Sequence, residues 1–448
     1  MIERLRQDAF KIFDKCLKAA DPEEAVRKFV HVSNDSLLIA PDIKISLSQF
    51  DRIVVVGAGK ASAMMCRALE GLLGARLDIG LLSVKYGHAL NLERTRIIEA
   101  GHPIPDEAGL KATNEIIALL SSLGHRDLVF SCISGGGSAL LPAPVDGVTL
   151  ENKQLMTSLL LEAGADIHEI NAVRKHLSVS KGGGLMKFAY PAFVINLILS
   201  DVVGDDPSVI ASGPFSPDRT TCENAMQVIN RLDLEDVAPR SVMKHFRKIL
   251  SGEAPETPKT GDPIFSHVRN VVIGSNLLSL NAGKYFAQSL GYNSLVLSSF
   301  IEGETSQTAL FHAAIAKEII GSANPVAPPA CILSGGETTV KVSGNGLGGR
   351  NQHFVLSILK RIEELPDCVF FSAGSDGTDG PTDAAGAIAD SFSFQRAVSI
   401  GLDPDTYLSD FDSYHFFMQL GDLVITGPTL TNVMDIRIAL VGGSTCNS

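Results

Sequence analysis

Two cations in this chain stand where the backbone makes room for an anion. Lys60 closes Gly57-Ala58-Gly59-Lys60, and Arg350 follows a stretch from Ser334 that holds Gly335, Gly336, Gly344, Gly346, Gly348 and Gly349. Glycines at that density let backbone N–H groups approach a ligand. The arginine adds a planar, bidentate anion clamp, with Glu337, Asn351 and Gln352 in the same stretch. Ser134-Gly135-Gly136-Gly137-Ser138 offers more bare N–H groups and two hydroxyls. Asp201 follows the apolar run Phe193–Leu199 and Ser200. A carboxylate there is costly to bury unless it is paired or metal-bound, so Asp201 is a candidate for holding Mg²⁺ or for taking a proton from a substrate hydroxyl. Asp376 and Asp379, with Asp383, are further hard-oxygen candidates for Mg²⁺. Phosphoryl transfer calls for this set: charge neutralisation, a metal and a base.

The elements that must carry these residues alternate strand and helix. A helix is expected over residues 1–31. Strands follow at Arg52–Val56, Ile79–Val84, Ile97–Ala100, Asp127–Ile133 and Phe193–Leu199, with helices at Ala63–Leu73, Leu110–Leu123 and Leu150–Ala163. Such alternation implies a largely parallel sheet, whose ligands sit at the carboxyl ends of the strands. Gly57–Lys60, Ser134–Ser138 and Asp201 all fall at such ends. The Pro-, Gly- and charge-rich stretch 251–263 reads as a linker, giving domains 1–255 and 256–448. The second half is expected to restart with strand Val271–Gly274. A glycine turn should follow Ala330–Leu333, then a strand at Thr338–Val342, a helix at Gln352–Arg361, and strands at Cys368–Ser372 and Val424–Thr426.

Bulk properties exclude several classes. A chain of 448 residues exceeds one ordinary core. A net charge of −12 argues against a nucleic-acid surface. The seven cysteines, Cys16, Cys66, Cys132, Cys222, Cys331, Cys368 and Cys446, form no CxxC pair and suggest neither a disulfide framework nor a zinc site. Cys132, Cys331 and Cys368 sit in apolar runs and are expected in the core. Reduced thiols fit a cytoplasmic or organelle-matrix protein. No apolar run reaches the ~20 residues of a membrane span.

Each motif also has a plain reading. Gly57–Ser62 is a tight turn as readily as an anion loop, and Ser134–Ser138 a close-packed strand-to-helix turn. As a dinucleotide fingerprint, GAGKAS has Ser62 for its third glycine, and the second strand ends at Lys85 instead of the expected ribose-binding acid. The aspartates around Asp376 also suit ordinary turns. Arg174-Lys175-His176 reads by default as a solvated basic face, although Asn171, Ser178 and Ser180 make Arg174 an anion candidate. No GxxxxGK[ST] and no protein-kinase signature set occurs.

VVVGAGKASAMM, GHPIPDEAG, SGGGSALLPAP, INAVRKHLSVSKGGGL, LILSDVVGDDPSVIASGPFSPD, LSGGETTVKVSGNGLGGRNQ and SAGSDGTDGPTDAAGA together resemble the glycerate kinase family whose C-terminal part is called the MOFRL domain. The resemblance covers essentially the whole chain. It implies two α/β domains, the first Rossmann-like, with the active site in the cleft between them. It also implies ATP- and Mg²⁺-dependent phosphorylation of D-glycerate, in most members to 2-phosphoglycerate, while some members have been named hydroxypyruvate reductases. The lysine of GAGKA and the arginine of GGRNQ are the family's proposed catalytic pair, here Lys60 and Arg350. The expected partners are glycerate and ATP, in a monomer or homodimer. Gly57, Gly59, Ser134 to Ser138, Arg174, Gly335, Gly336, Glu337, Asn351 and Gln352 are expected to line substrate and phosphates. Asp201 is expected as metal ligand or base, and Asp376 and Asp379 as metal ligands.

Overall fold

Strands buried on both faces read as unbroken apolar runs, and such runs build the sheet of residues 22–273. The computed structural model describes residues 1–342 and 344–443; Ser343 and Cys446 lie outside them. It divides into two compact units, Pro22–Ile273 and Met1–Asp21 with Gly274–Ser448. The division follows Ile273, and the first helix groups with the C-terminal residues, whereas the sequence reading cut the chain once, after residue 255.

In the unit Pro22–Ile273 the strand order is Thr95–Ala100, Ile79–Lys85, Arg52–Ala58, Asp127–Ile133, Phe193–Leu199 and Val268–Gly274. The first five are paired in parallel. The strand expected at Val271–Gly274 to open the second half is Val268–Gly274, the edge strand of this sheet. The order turns at Arg52–Ala58 and Asp127–Ile133, the switch point where an open parallel sheet offers a crevice. Val54, Val56, Val129, Ile133, Val194 and Ile198 pack with Ile116, Leu120, Leu185 and Phe215. Helices Leu150–Glu162, Ile167–His176, Cys222–Arg231 and Arg240–Leu250 close over a separate core that includes Met156, Leu160, Val173, Ile229 and Phe246. A three-stranded antiparallel sheet, Val30–Ser33, Ser36–Ile39 and Ile43–Ser46, carried no expectation from the sequence.

The other unit holds a mixed sheet in the order Asn293–Ile301, Ala330–Gly336, Asp435–Val441, Cys368–Gly374, Gly386–Asp390 and Leu423–Val424. Its first pair is parallel and the rest are antiparallel. The central strand Asp435–Val441 was not expected. Its Ile436, Ile438 and Leu440 join one core while Ala439 and Val441 join another, so it is apolar on both faces except at Asp435 and Arg437. The helix expected over 1–31 is two helices, Ile2–Ala19 and Pro22–Phe29. The first buries Leu5, Ile12 and Phe13 with Phe371 and Leu440. Its apolar face was visible in the sequence, but not the sheet that it covers. Thr338–Val342 forms no strand beyond a bridge from Thr339 to Glu304. The strand before it runs on through Gly335 and Gly336.

Candidate functional site

In the unit Pro22–Ile273, two glycine loops leave neighbouring strands at the switch point and lock together. A Cβ on Gly57 would overlap the Cys132 carbonyl, and one on Gly59, at φ +141, would overlap Ser134. Gly59 N–H donates to the Ser83 carbonyl at 3.2 Å and Lys60 N–H to the Gly135 carbonyl at 3.0 Å. Ala61 N–H donates to Ser134 Oγ at 3.0 Å. These amides are therefore spent within the protein. Gly57 and Gly59 permit loop-to-loop contact, and the expected anion cradle of backbone N–H groups does not form at this turn. What the turn presents is the half-buried side chain of Lys60.

The second loop is more open. Among the described residues, no backbone carbonyl accepts from the N–H groups of Gly135 and Gly136. Asp201, just past the strand Phe193–Leu199, lies so close over Gly135 that a Cβ there would overlap its carboxylate. The His102 ring covers Gly136, which sits at φ +83. Burial first, and then the charge of Lys60, push the His102 imidazole down to about 4, so it is neutral at pH 7. His102 lies in GHPIPDEAG and carried no expectation from the sequence. Ser138 ends the loop and accepts from Arg174 Nη2 at Oγ. Lys181 Nζ donates to the Ser138 carbonyl at 2.6 Å and to its Oγ at 2.8 Å. Thus Gly135, Gly136, Ser138, Arg174 and Asp201 come together, joined by His102 and Lys181.

In the other unit, Arg350 is the first residue of helix Arg350–Ser357. Its Nε donates to Asp435 Oδ2 at 2.8 Å and its Nη1 to Glu337 Oε1 at 2.6 Å. Burial alone would lower the guanidinium, but Asp435 and Glu337 outweigh it and hold the group above its ordinary value. Asp435 is the hub, because it also accepts from Arg437 Nη2 at 2.9 Å and Asn351 Nδ2 at 2.9 Å. Asn351 spends its remaining oxygen on Ser372 Oγ at 2.6 Å, and Gln352 Nε2 donates to Thr382 at 3.0 Å. Both are buried and brace the helix start. A Cβ on Gly335 would overlap the Asn276 amide and one on Gly336 the Ile301 backbone. These two glycines are therefore accounted for by packing within the strand.

The aspartates divide. Asp379 is 2% exposed. It accepts from Asn351 N at 3.0 Å and Gln352 N at 2.8 Å, capping the helix that begins at Arg350. Gly349 makes room for that carboxylate. Burial raises Asp379 to about 6 despite these bonds. Asp376 closes a local turn by accepting from Thr378 N at 3.1 Å and Thr378 Oγ1 at 3.0 Å. Asp379 shares the Asn351 amide with Asp435, but among the described residues no three or more His, Cys, Asp or Glu side chains gather to hold a metal ion. The six described cysteines are buried free thiols, Cys132, Cys331 and Cys368 among them as expected. No described helix is long and apolar enough to cross a membrane.

The class defined here is a mixed α/β enzyme whose parallel sheet carries glycine loops at its strand ends. A domain described as of unknown function, DUF4147, matches residues 8–247, and the MOFRL family matches residues 330–435. The glycerate 2-kinase of Pyrococcus horikoshii is 40% identical, covering 98% of this chain and 97% of that protein. A relative from Agrobacterium vitis carrying a hydroxypyruvate reductase name is 42% identical, over 98% of this chain and 94% of its own. The crystal structure of glycerate kinase from Thermotoga maritima aligns with a TM-score of 0.88 at 38% identity, covering 98% of this chain and 100% of that one. The chain belongs to the glycerate kinase family with a C-terminal MOFRL domain.

Proposed function

We propose that the protein transfers the γ-phosphoryl group of ATP to the 2-hydroxyl of D-glycerate, giving 2-phosphoglycerate and ADP. The observation that carries this reading is similarity along nearly the whole chain to glycerate kinases, joined to a lysine and a carboxylate past the ends of two strands of one parallel sheet, Arg52–Ala58 and Phe193–Leu199, with Asp127–Ile133 between them. Lys60 and Arg350 supply positive charge to the transferring group. Arg350 arrives oriented, since two of its nitrogens are held by carboxylates. Preorganised charge of this kind is commonly worth about 3 kcal/mol per donor. Asp201 takes the proton of the attacking hydroxyl or supplies a metal ligand.

Mg²⁺, when bound, neutralises phosphate charge. It usually keeps several waters and needs only one or two carboxylates besides the phosphates. Asp201 beside the open amides of Gly135 and Gly136 fits that requirement. Asp379 does not, because its oxygens cap a helix. Six buried thiols support a reducing compartment, the cytoplasm.

Nicotinamide-dependent reduction of hydroxypyruvate is the second reading, favoured by the name of the Agrobacterium relative. Against it, the strand Ile79–Lys85 ends in a lysine, and the amides of the first glycine loop are spent. The test is purified protein with D-glycerate, ATP and Mg²⁺ followed for ADP, beside hydroxypyruvate with NADH or NADPH. ADP release with formation of 2-phosphoglycerate is expected. Oxidation of the nicotinamide without ADP would overturn the proposal.

A further inference from the structure

Buried lysines in this protein are paired with acids in one place and left without them in another. Lys175 is 4% exposed and meets Asp218 at 3.2 Å. Its neighbour Arg174 belongs to a different group. Arg174, Lys153 from helix Leu150–Glu162 and Lys181 from the turn after Ile167–His176 form a cluster of cations. Lys153 is 5% exposed and Lys181 1%. Among the described residues no carboxylate pairs with any of the three. Lys153 Nζ is buried and has no hydrogen-bond partner at all. Lys181 and Arg174 reach only neutral oxygens, those of Ser138. Ser138 Oγ lies 3.0 Å from Ser212 Oγ, which donates to Asn171 Oδ1 at 2.9 Å. Burial, and then repulsion by Arg174, lowers Lys153 to about 7 and takes Lys181 well below its ordinary value.

Unpaired buried charge is costly, so without an anion these lysines tend to lose their protons, and a bound anion would keep them charged. We infer that Arg174 and Lys181, which meet at Ser138, form with the nearby Lys153 the subsite for the carboxylate of the hydroxy-acid substrate, an inference that rests on the reading of the protein as a glycerate kinase. A carboxylate is small and planar and accepts two N–H bonds from one guanidinium, which suits a nearly closed site. The triphosphate of a nucleotide comes with Mg²⁺ and its waters and needs more open space. Ser138 and Gly135 belong to one five-residue loop, and Gly135 lies against Asp201. A carboxylate at Ser138 therefore leaves the adjacent hydroxyl-bearing carbon beside the loop that the candidate base lies against. Lys60 and Arg350 then remain for the phosphoryl group.

Lys153→Met tests this most cleanly, because the lysine has no hydrogen bond to lose. Lys181→Met is the second variant. Thermal melts are run with D-glycerate, glycerol, inorganic phosphate or ATP, each added alone, and steady-state kinetics with glycerate and ATP. For the wild type, D-glycerate is expected to raise Tm and glycerol, which lacks the carboxylate, to leave it unchanged. In Lys153→Met, Tm without ligand should equal or exceed that of the wild type and the glycerate shift should vanish. Its KM for glycerate should rise about tenfold or more, with KM for ATP changed by less than about twofold. Unchanged KM for glycerate in both variants would overturn the subsite. So would a shift by phosphate or ATP that the variants abolish together with a raised KM for ATP. A Lys153-dependent glycerate shift in a wild type that releases no ADP would uphold the subsite and sink the kinase reading alone.

Discussion

Arg437 and Lys181 are each 1% exposed, and their surroundings differ in kind. Arg437 is met by Asp435, which also takes Arg350 Nε and Asn351 Nδ2. Its Nε and Nη1 lack partners, but the Phe354 ring lies 5.4 Å from its guanidinium carbon. Lys181 is met only by the oxygens of Ser138. The first cluster balances its charge internally and so holds one guanidinium in a set orientation. The second is out of balance and is completed only by something from outside. Buried charge matched within the chain builds a support, while buried charge left unmatched marks where a ligand belongs.

The largest effect is expected from breaking the balanced cluster at its hub. Asp435→Asn leaves Arg437 buried beside a neutral amide and should cost about 3–5 kcal/mol, read by urea denaturation, with a fall in kcat because Arg350 loses an anchor. Next come Lys60→Ala and Arg350→Ala, each expected to lower kcat by about 100-fold or more with an unchanged circular dichroism spectrum. A near-wild-type rate in either would remove that residue from the chemistry. Gly349→Ala forces a Cβ onto the Asp379 carboxylate and should cost about 1–3 kcal/mol, seen in Tm.

The smallest effect sharpens the unbalanced side. Lys153 has its folded-state value lowered from 10.5 to about 7. Between those values the unfolded chain keeps a proton that the folded protein releases, so ligand-free stability gains from this group as pH rises from 7 to 10.5. Lys153→Met should lack that gain, and denaturation midpoints across the range would show a flatter profile than the wild type. Equal slopes would place the lysine charge in a paired or solvated setting.

The first glycine loops, the strand ends and the alternation through Phe193–Leu199 were legible because each is a local pattern of strand, turn and helix. The support for Arg350 was not. Asp435 pairs with it across 85 positions, and DIRIALV sits in the middle of a sheet whose other strands lie far away in sequence. Its alternation of Asp435 and Arg437 with Ile436 and Ile438 was the available signal. Lys153 looked like one charge on an ordinary helix, since nothing local says that helix Leu150–Glu162 turns this lysine inward. His102 was hidden in the same way, as its role depends on the Gly136 turn of another strand. The close packing at Gly335 and Gly336 was hidden for a related reason: their neighbours, Asn276 and Ile301, are distant in sequence.

The difference between the two clusters is tested most directly by a crystal structure with D-glycerate bound. The expected result is a glycerate carboxylate within ~3 Å of Lys153 Nζ and Lys181 Nζ, with Arg350 still bonded to Asp435 and Glu337. A carboxylate seated on the Arg350 guanidinium, with Lys153 left without a partner, would contradict the account.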